Sequence, residues 1–126
     1  MEDKKRHYKL LKKFGYALNG IRLAITKNTS FAIHLIISFL ICFLSIYFNI
    51  NTLELMFILS AIFSVLITEL INTAIEESIN GYTKEFKRVF MISKDSAAGA
   101  VLLASFYSVI IGIIVFGPKF YVLFFE

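Results

Sequence analysis

The chain has 126 residues, 58% of them hydrophobic and 17% charged, with a single proline; so apolar a balance excludes an ordinary water-soluble domain and places the chain in a bilayer. Eight of its thirteen Lys and Arg residues (Lys4, Lys5, Arg6, Lys9, Lys12, Lys13, Arg22, Lys27) precede the first long apolar run, so the net charge of +4 follows membrane topology. No aromatic platform is interleaved with basic residues in a polar domain, which excludes nucleic acid as a partner.

The first element is helical. Between Lys9 and Thr26 the apolar residues Leu11, Phe14, Leu18, Ile21 and Ile25 recur at three- and four-residue steps, while Lys12, Lys13, Asn19 and Arg22 take other faces. That pattern predicts a basic amphipathic helix over about residues 7–26, lying on the membrane surface. Residues 1–27 lack the short apolar core and cleavage site of a signal peptide, so no processing is expected.

The first span covers about residues 31–48, close to the ~20 residues that cross ~30 Å of hydrocarbon. Cys42 lies within it and has no second thiol, which excludes a disulfide framework or a thiolate metal site within one chain. A short turn at Asn49, Ile50, Asn51 and Thr52 leads to a second helical run over about residues 53–80, longer than a bilayer requires, whose last turns should reach water. A polar, basic segment from Gly81 to Ser93 follows, and then a third span over about residues 95–117, expected to stop at Gly117 and Pro118.

The basic residues of the N-terminal segment and of the loop between spans two and three place both at the cytoplasmic face of the cell membrane. Ser96, Ala100, Ala104, Ser108 and Gly112 form a four-residue stripe of small side chains on span three, and Ser60, Ser64 and Thr68 a similar row on span two. Such stripes permit close helix packing. Three spans and a surface helix make a thin core, so oligomerisation is expected.

The most informative pattern is on span two, where Glu69, Asn72, Thr73, Glu76 and Asn80 share one helical face. Ionisable groups in a spanning helix cost roughly 2.5–3.5 kcal/mol each near the bilayer centre and less toward its edge, so two on one face point to function. Glu69, just inside the hydrocarbon, suits a proton acceptor for a lipid headgroup hydroxyl. Glu76, roughly 10 Å further toward water at 1.5 Å per residue, suits a hard cation such as Mg²⁺. Glu77, a quarter-turn away, reads as solvated. Across the loop, Lys94 and Asp95 stand at a similar depth, the lysine suited to neutralising phosphate and the aspartate to binding a hydroxyl or orienting the lysine. No GxxxxGK[ST] loop, GxGxxG turn or protein-kinase signature occurs, so any ATP site is of another design.

The segments Glu69-Leu-Ile-Asn-Thr-Ala-Ile-Glu76 and Lys94-Asp95-Ser-Ala-Ala-Gly-Ala-Val-Leu resemble the signature of the prokaryotic diacylglycerol kinase family, which includes undecaprenol kinases. The resemblance runs from Phe14-Gly-Tyr-Ala-Leu-Asn-Gly20 to Phe116-Gly-Pro-Lys119. It implies an all-α integral membrane homotrimer with one domain per chain (1–126), and active sites shared between neighbouring subunits. It further implies Glu69 as general base on the lipid hydroxyl, Glu76 as Mg²⁺ ligand, and Asn72, Lys94, Asp95, Tyr16 and Glu85 around ATP. Lys9 stands where some relatives have Arg.

Three positions depart from the family pattern. Asn28 stands in place of a second metal-binding Glu, Asn80 in place of an Asp, and Ala32 in place of an Arg. As an amide, Asn28 would be a weaker ligand than a carboxylate. His34 and the sequence from Asp95 look more like the undecaprenol-using branch, and His34 itself reads as a structural hydrogen-bonding residue. The function these features imply is ATP- and Mg²⁺-dependent phosphorylation of a membrane lipid alcohol, undecaprenol or diacylglycerol, at the cytoplasmic interface. The rival reading is an impaired or inactive family member that serves as a lipid-binding, oligomeric scaffold.

Overall fold

The structure is a computed structural model that describes residues 2–125, with the side chains of Lys9 and of residues 12–125. Four helices follow one another: α1 (Glu2–Lys27), α2 (Thr29–Tyr47), α3 (Thr52–Tyr82) and α4 (Arg88–Phe125). The side chains of Lys4, Lys5, Arg6 and Leu11 lie outside the described residues, and with them part of the amphipathic pattern. For the rest of that pattern, Phe14, Leu18, Ile21 and Ile25 are exposed, and among the helix's described side chains only Ala24 is buried. These four apolar side chains are thus left uncovered by the described residues.

A single extended residue, Asn28, separates α1 from α2. Its backbone N–H still completes the ladder of α1 on the Ala24 carbonyl, and its own carbonyl accepts from Ala32 to begin α2. Its side chain caps the new helix by accepting from the Phe31 N–H at 3.2 Å. An amide can do this because the first N–H groups of a helix lack intrahelical acceptors. At the other end of α2 the chain reverses through Asn49, whose φ of 47° is a conformation asparagine tolerates better than most residues. Asn51 then opens α3 with a capping box, its Oδ1 accepting from the Glu54 N–H while Glu54 accepts from the Asn51 N–H, each at 2.9 Å.

Helices α2, α3 and α4, of 19, 31 and 38 residues, are each long and apolar enough to cross a membrane. Their surfaces agree: among the described residues only nine apolar side chains are buried, while dozens of large ones face outward. Such a surface is stable where the solvent is hydrocarbon. At 1.5 Å per residue the 31 residues of α3 extend about 46 Å, so roughly ten exceed a ~30 Å hydrocarbon layer.

The core is small and lies toward the α2–α3 turn. Ile58, Ala61, Ile111, Val115 and Phe116 are buried together, with Ile41, Leu44, Phe48, Ile50 and Ile62 packed around them. Helices α3 and α4 make the most extensive contact. The stripe of small residues on α4 is used here: Ser108 donates to the Ala61 carbonyl of α3 at 3.1 Å, and the hydroxyls of Ser60 and Tyr107 meet at 3.0 Å.

Two boundaries of the last helix differ from expectation. It begins at Arg88, leaving a link of only residues 83–87 where a polar segment of 81–93 was expected, and it does not stop at Gly117 and Pro118 but continues to Phe125. Pro118 removes one backbone donor, yet contacts beyond it hold the extra turns in place. Phe120 packs edge-on against Phe48 at 4.9 Å, and Lys119 pairs with Glu54 at 2.9 Å. Tertiary contacts of this kind outweigh the local breaking tendency of proline, as they commonly do in membrane helices.

Candidate functional site

The polar face of α3 is turned toward the other helices. Its innermost member, Glu69, is 4% exposed, and the neighbouring group on α2 is His34, whose Nε2 lies 3.4 Å from Glu69 Oε1. One turn on, the Thr73 hydroxyl donates to the Glu69 carbonyl at 2.9 Å and accepts from the Asn28 amide. The residue that caps α2 is therefore also clamped to α3, which fixes the α1–α2 corner beside the carboxylate row. These hydroxyl and amide bonds satisfy polar groups within apolar surroundings, where an unmet donor or acceptor is costly.

Asn72 donates to Glu76 Oε1 at 3.4 Å, and this leaves Asn72 Oδ1 buried without a partner among the described residues. A buried acceptor in that state is matched by an incoming hydroxyl, ammonium or cation. Glu76 itself lines a groove of about 730 Å³ between α1 and α3, together with Lys27, Asn28, Thr73 and Glu77. Glu77 is exposed and shares this groove with Glu76.

Lys94, Asp95 and Glu85 line a different hollow, of about 590 Å³, formed by the end of α3, the 83–87 link and the start of α4. Lys94 reaches the α3 face through Asn80, donating from Nζ to Asn80 Oδ1 at 2.6 Å. An amide at position 80 is a neutral partner, which accepts from the lysine without adding an opposite charge beside it. Glu85 is 79% exposed and sits 3.8 Å from Lys87. Tyr16 is 71% exposed on α1 and lines neither hollow.

One chain thus brings together Glu69, Asn72, Glu76 and Asn28 on one side and Lys94, Asp95 and Glu85 on another. His34 is the functional candidate that sequence reasoning assigned only a structural part. The signal for more was an imidazole in an otherwise apolar span, at the sixth position of α2 and in reach of the acidic face.

The donor set was tested against the Mg²⁺ that the sequence resemblance implies. Among the described residues no cluster of three or more His, Cys, Asp or Glu side chains could hold a metal unaided. The carboxylates of Glu76 and Glu77 in one groove do fit a cation that takes one or two carboxylates and completes its shell with phosphate oxygens and water. Asn28 Oδ1 is engaged in capping, so it has at most one lone pair to offer.

Comparison with known proteins gives a consistent result. The profile of the family described as "Prokaryotic diacylglycerol kinase" matches residues 15–116. The chain is 30% identical over 111 residues to an undecaprenol kinase of Bacillus subtilis (strain 168), covering 88% of this chain and 90% of that one. It is 31% identical over 104 residues to a diacylglycerol kinase of Synechocystis sp. (strain ATCC 27184 / PCC 6803 / Kazusa), covering 82% of this chain and 59% of that protein. It is 24% identical over 102 residues to the diacylglycerol kinase of Escherichia coli (strain K12), covering 81% and 84%. With the matched profile spanning most of three long apolar helices, the chain belongs to the prokaryotic diacylglycerol kinase family and is a multi-pass membrane protein of the lipid kinase class.

Proposed function

We propose that the chain transfers the γ-phosphoryl group of ATP to the hydroxyl of a membrane lipid alcohol at the cytoplasmic interface, with undecaprenol ahead of diacylglycerol. The observation that carries this reading is the burial of Glu69 at the inner end of a polar row that continues through Asn72 to Glu76. A carboxylate held where hydrocarbon gives way to water can reach a hydroxyl that a lipid cannot lift far from the bilayer. The order of lipids follows from the undecaprenol kinase relative, which aligns with nearly the whole of both chains.

In this mechanism Glu69 takes the proton of the lipid hydroxyl as its oxygen bonds to the γ-phosphorus. The bond from that phosphorus to the β,γ-bridging oxygen breaks, and ADP leaves. Asn72 orients Glu76 and presents its free carbonyl oxygen. Lys94 supplies positive charge to the phosphates, and Asp95, Glu85 and Tyr16 complete the nucleotide site. Glu76, with a subsidiary contribution from Asn28, would hold Mg²⁺, which when bound neutralises developing charge on the phosphate oxygens. The exposed apolar stripe of α1 would lie against the membrane surface, with the N-terminus on the cytoplasmic side. Positioning and charge neutralisation suffice for a phosphoryl transfer with little covalent work for the protein.

The test is transfer from Mg-ATP to undecaprenol and to diacylglycerol in mixed micelles, with purified wild type and Glu69→Gln. We expect wild-type transfer, faster to undecaprenol, and a loss of about 100-fold or more in kcat for the amide variant. Undiminished transfer by Glu69→Gln would remove Glu69 as the base. A folded wild type that phosphorylates neither lipid would favour the scaffold reading.

A further inference from the structure

We infer that His34 is a positioning residue for phosphoryl transfer, holding the Glu69 carboxylate by one oxygen so that the other is presented to the lipid hydroxyl. The inference rests on the reading of Glu69 as the base. Glu69 is buried, and among the described residues the polar side chain set against its carboxylate is His34, with Nε2 at 3.4 Å from Oε1. The Thr73 hydroxyl, though adjacent, is committed to the Glu69 backbone carbonyl and leaves the carboxylate free.

A carboxylate on a flexible side chain, in an apolar setting and with one polar neighbour, has its rotamer set by that neighbour. A neutral imidazole can serve in this way only with its proton on Nε2, which aims a donor at Oε1 and leaves Oε2 to face the lipid hydroxyl. His34 also borders a narrow, mostly apolar groove of about 210 Å³ that runs along α2 past Ile37, Ile41 and Val65 to Val109. The imidazole therefore stands where that groove meets the carboxylate. Two of the serines that border the groove are engaged with backbone: Ser38 donates to the His34 carbonyl at 2.7 Å, and Ser108 donates to the Ala61 and Ala104 carbonyls.

The experiment compares wild type, His34→Leu, His34→Gln, Glu69→Gln and the double variant His34→Leu/Glu69→Gln in the mixed-micelle assay, with oligomeric state and thermal midpoint checked for each. We expect His34→Leu, which keeps the volume and removes the donor, to lose about ten- to a hundred-fold in kcat, with KM for lipid and for ATP within about two-fold of wild type. His34→Gln, which restores an N–H donor, should recover most of that loss. The double variant should be no slower than Glu69→Gln alone, because a residue that acts through Glu69 has nothing further to lose. Full kcat in His34→Leu, a loss carried by lipid KM, or additive losses in the double variant would overturn the inference while leaving Glu69 as the base. Wild-type kcat in Glu69→Gln would instead overturn the reading on which it rests. Should His34→Leu fail to fold, His34→Met takes its place as the variant without a donor: a kcat lost in His34→Met and recovered in His34→Gln supports the inference, and undiminished kcat in His34→Met overturns it.

Discussion

Asn28 joins three jobs at one side chain. It caps α2 through Phe31, ties the α1–α2 corner to α3 through Thr73, and stands in the groove that Glu76 lines. Only the last of these concerns a cation, and the first two are what an amide contributes at a place where a carboxylate would bind Mg²⁺ more strongly. Asn28→Asp separates the jobs, because aspartate is an equally good N-cap but cannot donate to Thr73. A third carboxylate in the groove, beside Glu76 and Glu77, should lower the Mg²⁺ concentration for half-maximal rate by about five-fold, the equivalent of roughly 1 kcal/mol of screened attraction. The check is a Mg²⁺ titration of the lipid kinase rate; an unchanged midpoint would mean that position 28 serves only as cap and clamp. At this scale the sequence was partly legible. Helical spacing alone put Glu69, Asn72, Thr73 and Glu76 on one face, and they share it in the structure. The partner of each was not legible, since His34 lies 35 residues from Glu69 and Asn28 lies 45 from Thr73, and helical periodicity carries no information about which helix a face will meet.

The helices themselves were legible because length and apolarity leave few alternatives in a bilayer, whereas their ends were not. Pro118 marks the clearest difference. Read locally, glycine followed by proline ends a helix, but α4 runs seven residues further, to Phe125, because Phe120 and Lys119 find Phe48 and Glu54. The ring still removes the donor that would bond the Ile114 carbonyl. Pro118→Ala should restore it and raise the thermal midpoint in detergent, by about 1–2 kcal/mol of stability once the ~3 kcal/mol preference seen in water is discounted for compensation within a membrane. Activity should be unchanged, since α3 separates this end of α4 from the carboxylate row by several turns. A lower midpoint would mean that the bend imposed by proline is what brings Lys119 to Glu54. The early start of α4 has a similar origin, with Phe90 packed edge-on to Tyr82 at 6.0 Å across the link, a contact between residues that sequence reading assigned to a loop.

For the molecule as a whole, residues proposed for catalysis line two hollows on one chain that share no lining residue: Glu76, with Asn28, lines the α1–α3 groove, and Lys94, Asp95 and Glu85 line the hollow beside the 83–87 link, while Glu69, Asn72 and Tyr16 line neither. Phosphoryl transfer needs the base, the cation ligands and the phosphate-binding lysine around one ATP. A second copy offers a way to supply the missing half, and the outward-facing apolar surface of α1 to α4 leaves ample room for one. Cyclic symmetry would then repeat the composite site once per subunit. The consequence is measurable by mixing. Glu69→Gln and Lys94→Ala, each nearly inactive alone, should regain activity when denatured together and reassembled, because a site that takes Glu69 from one subunit and Lys94 from its neighbour is intact when the right variants meet. For random assembly at equal ratio, about a quarter of the sites are restored, and the recovered rate should approach that fraction of wild type. A mixture no more active than its components, in oligomers shown by crosslinking of differently tagged chains to be mixed, would place both residues in the same subunit's site and require a movement of α4 toward the α1–α3 groove during the reaction.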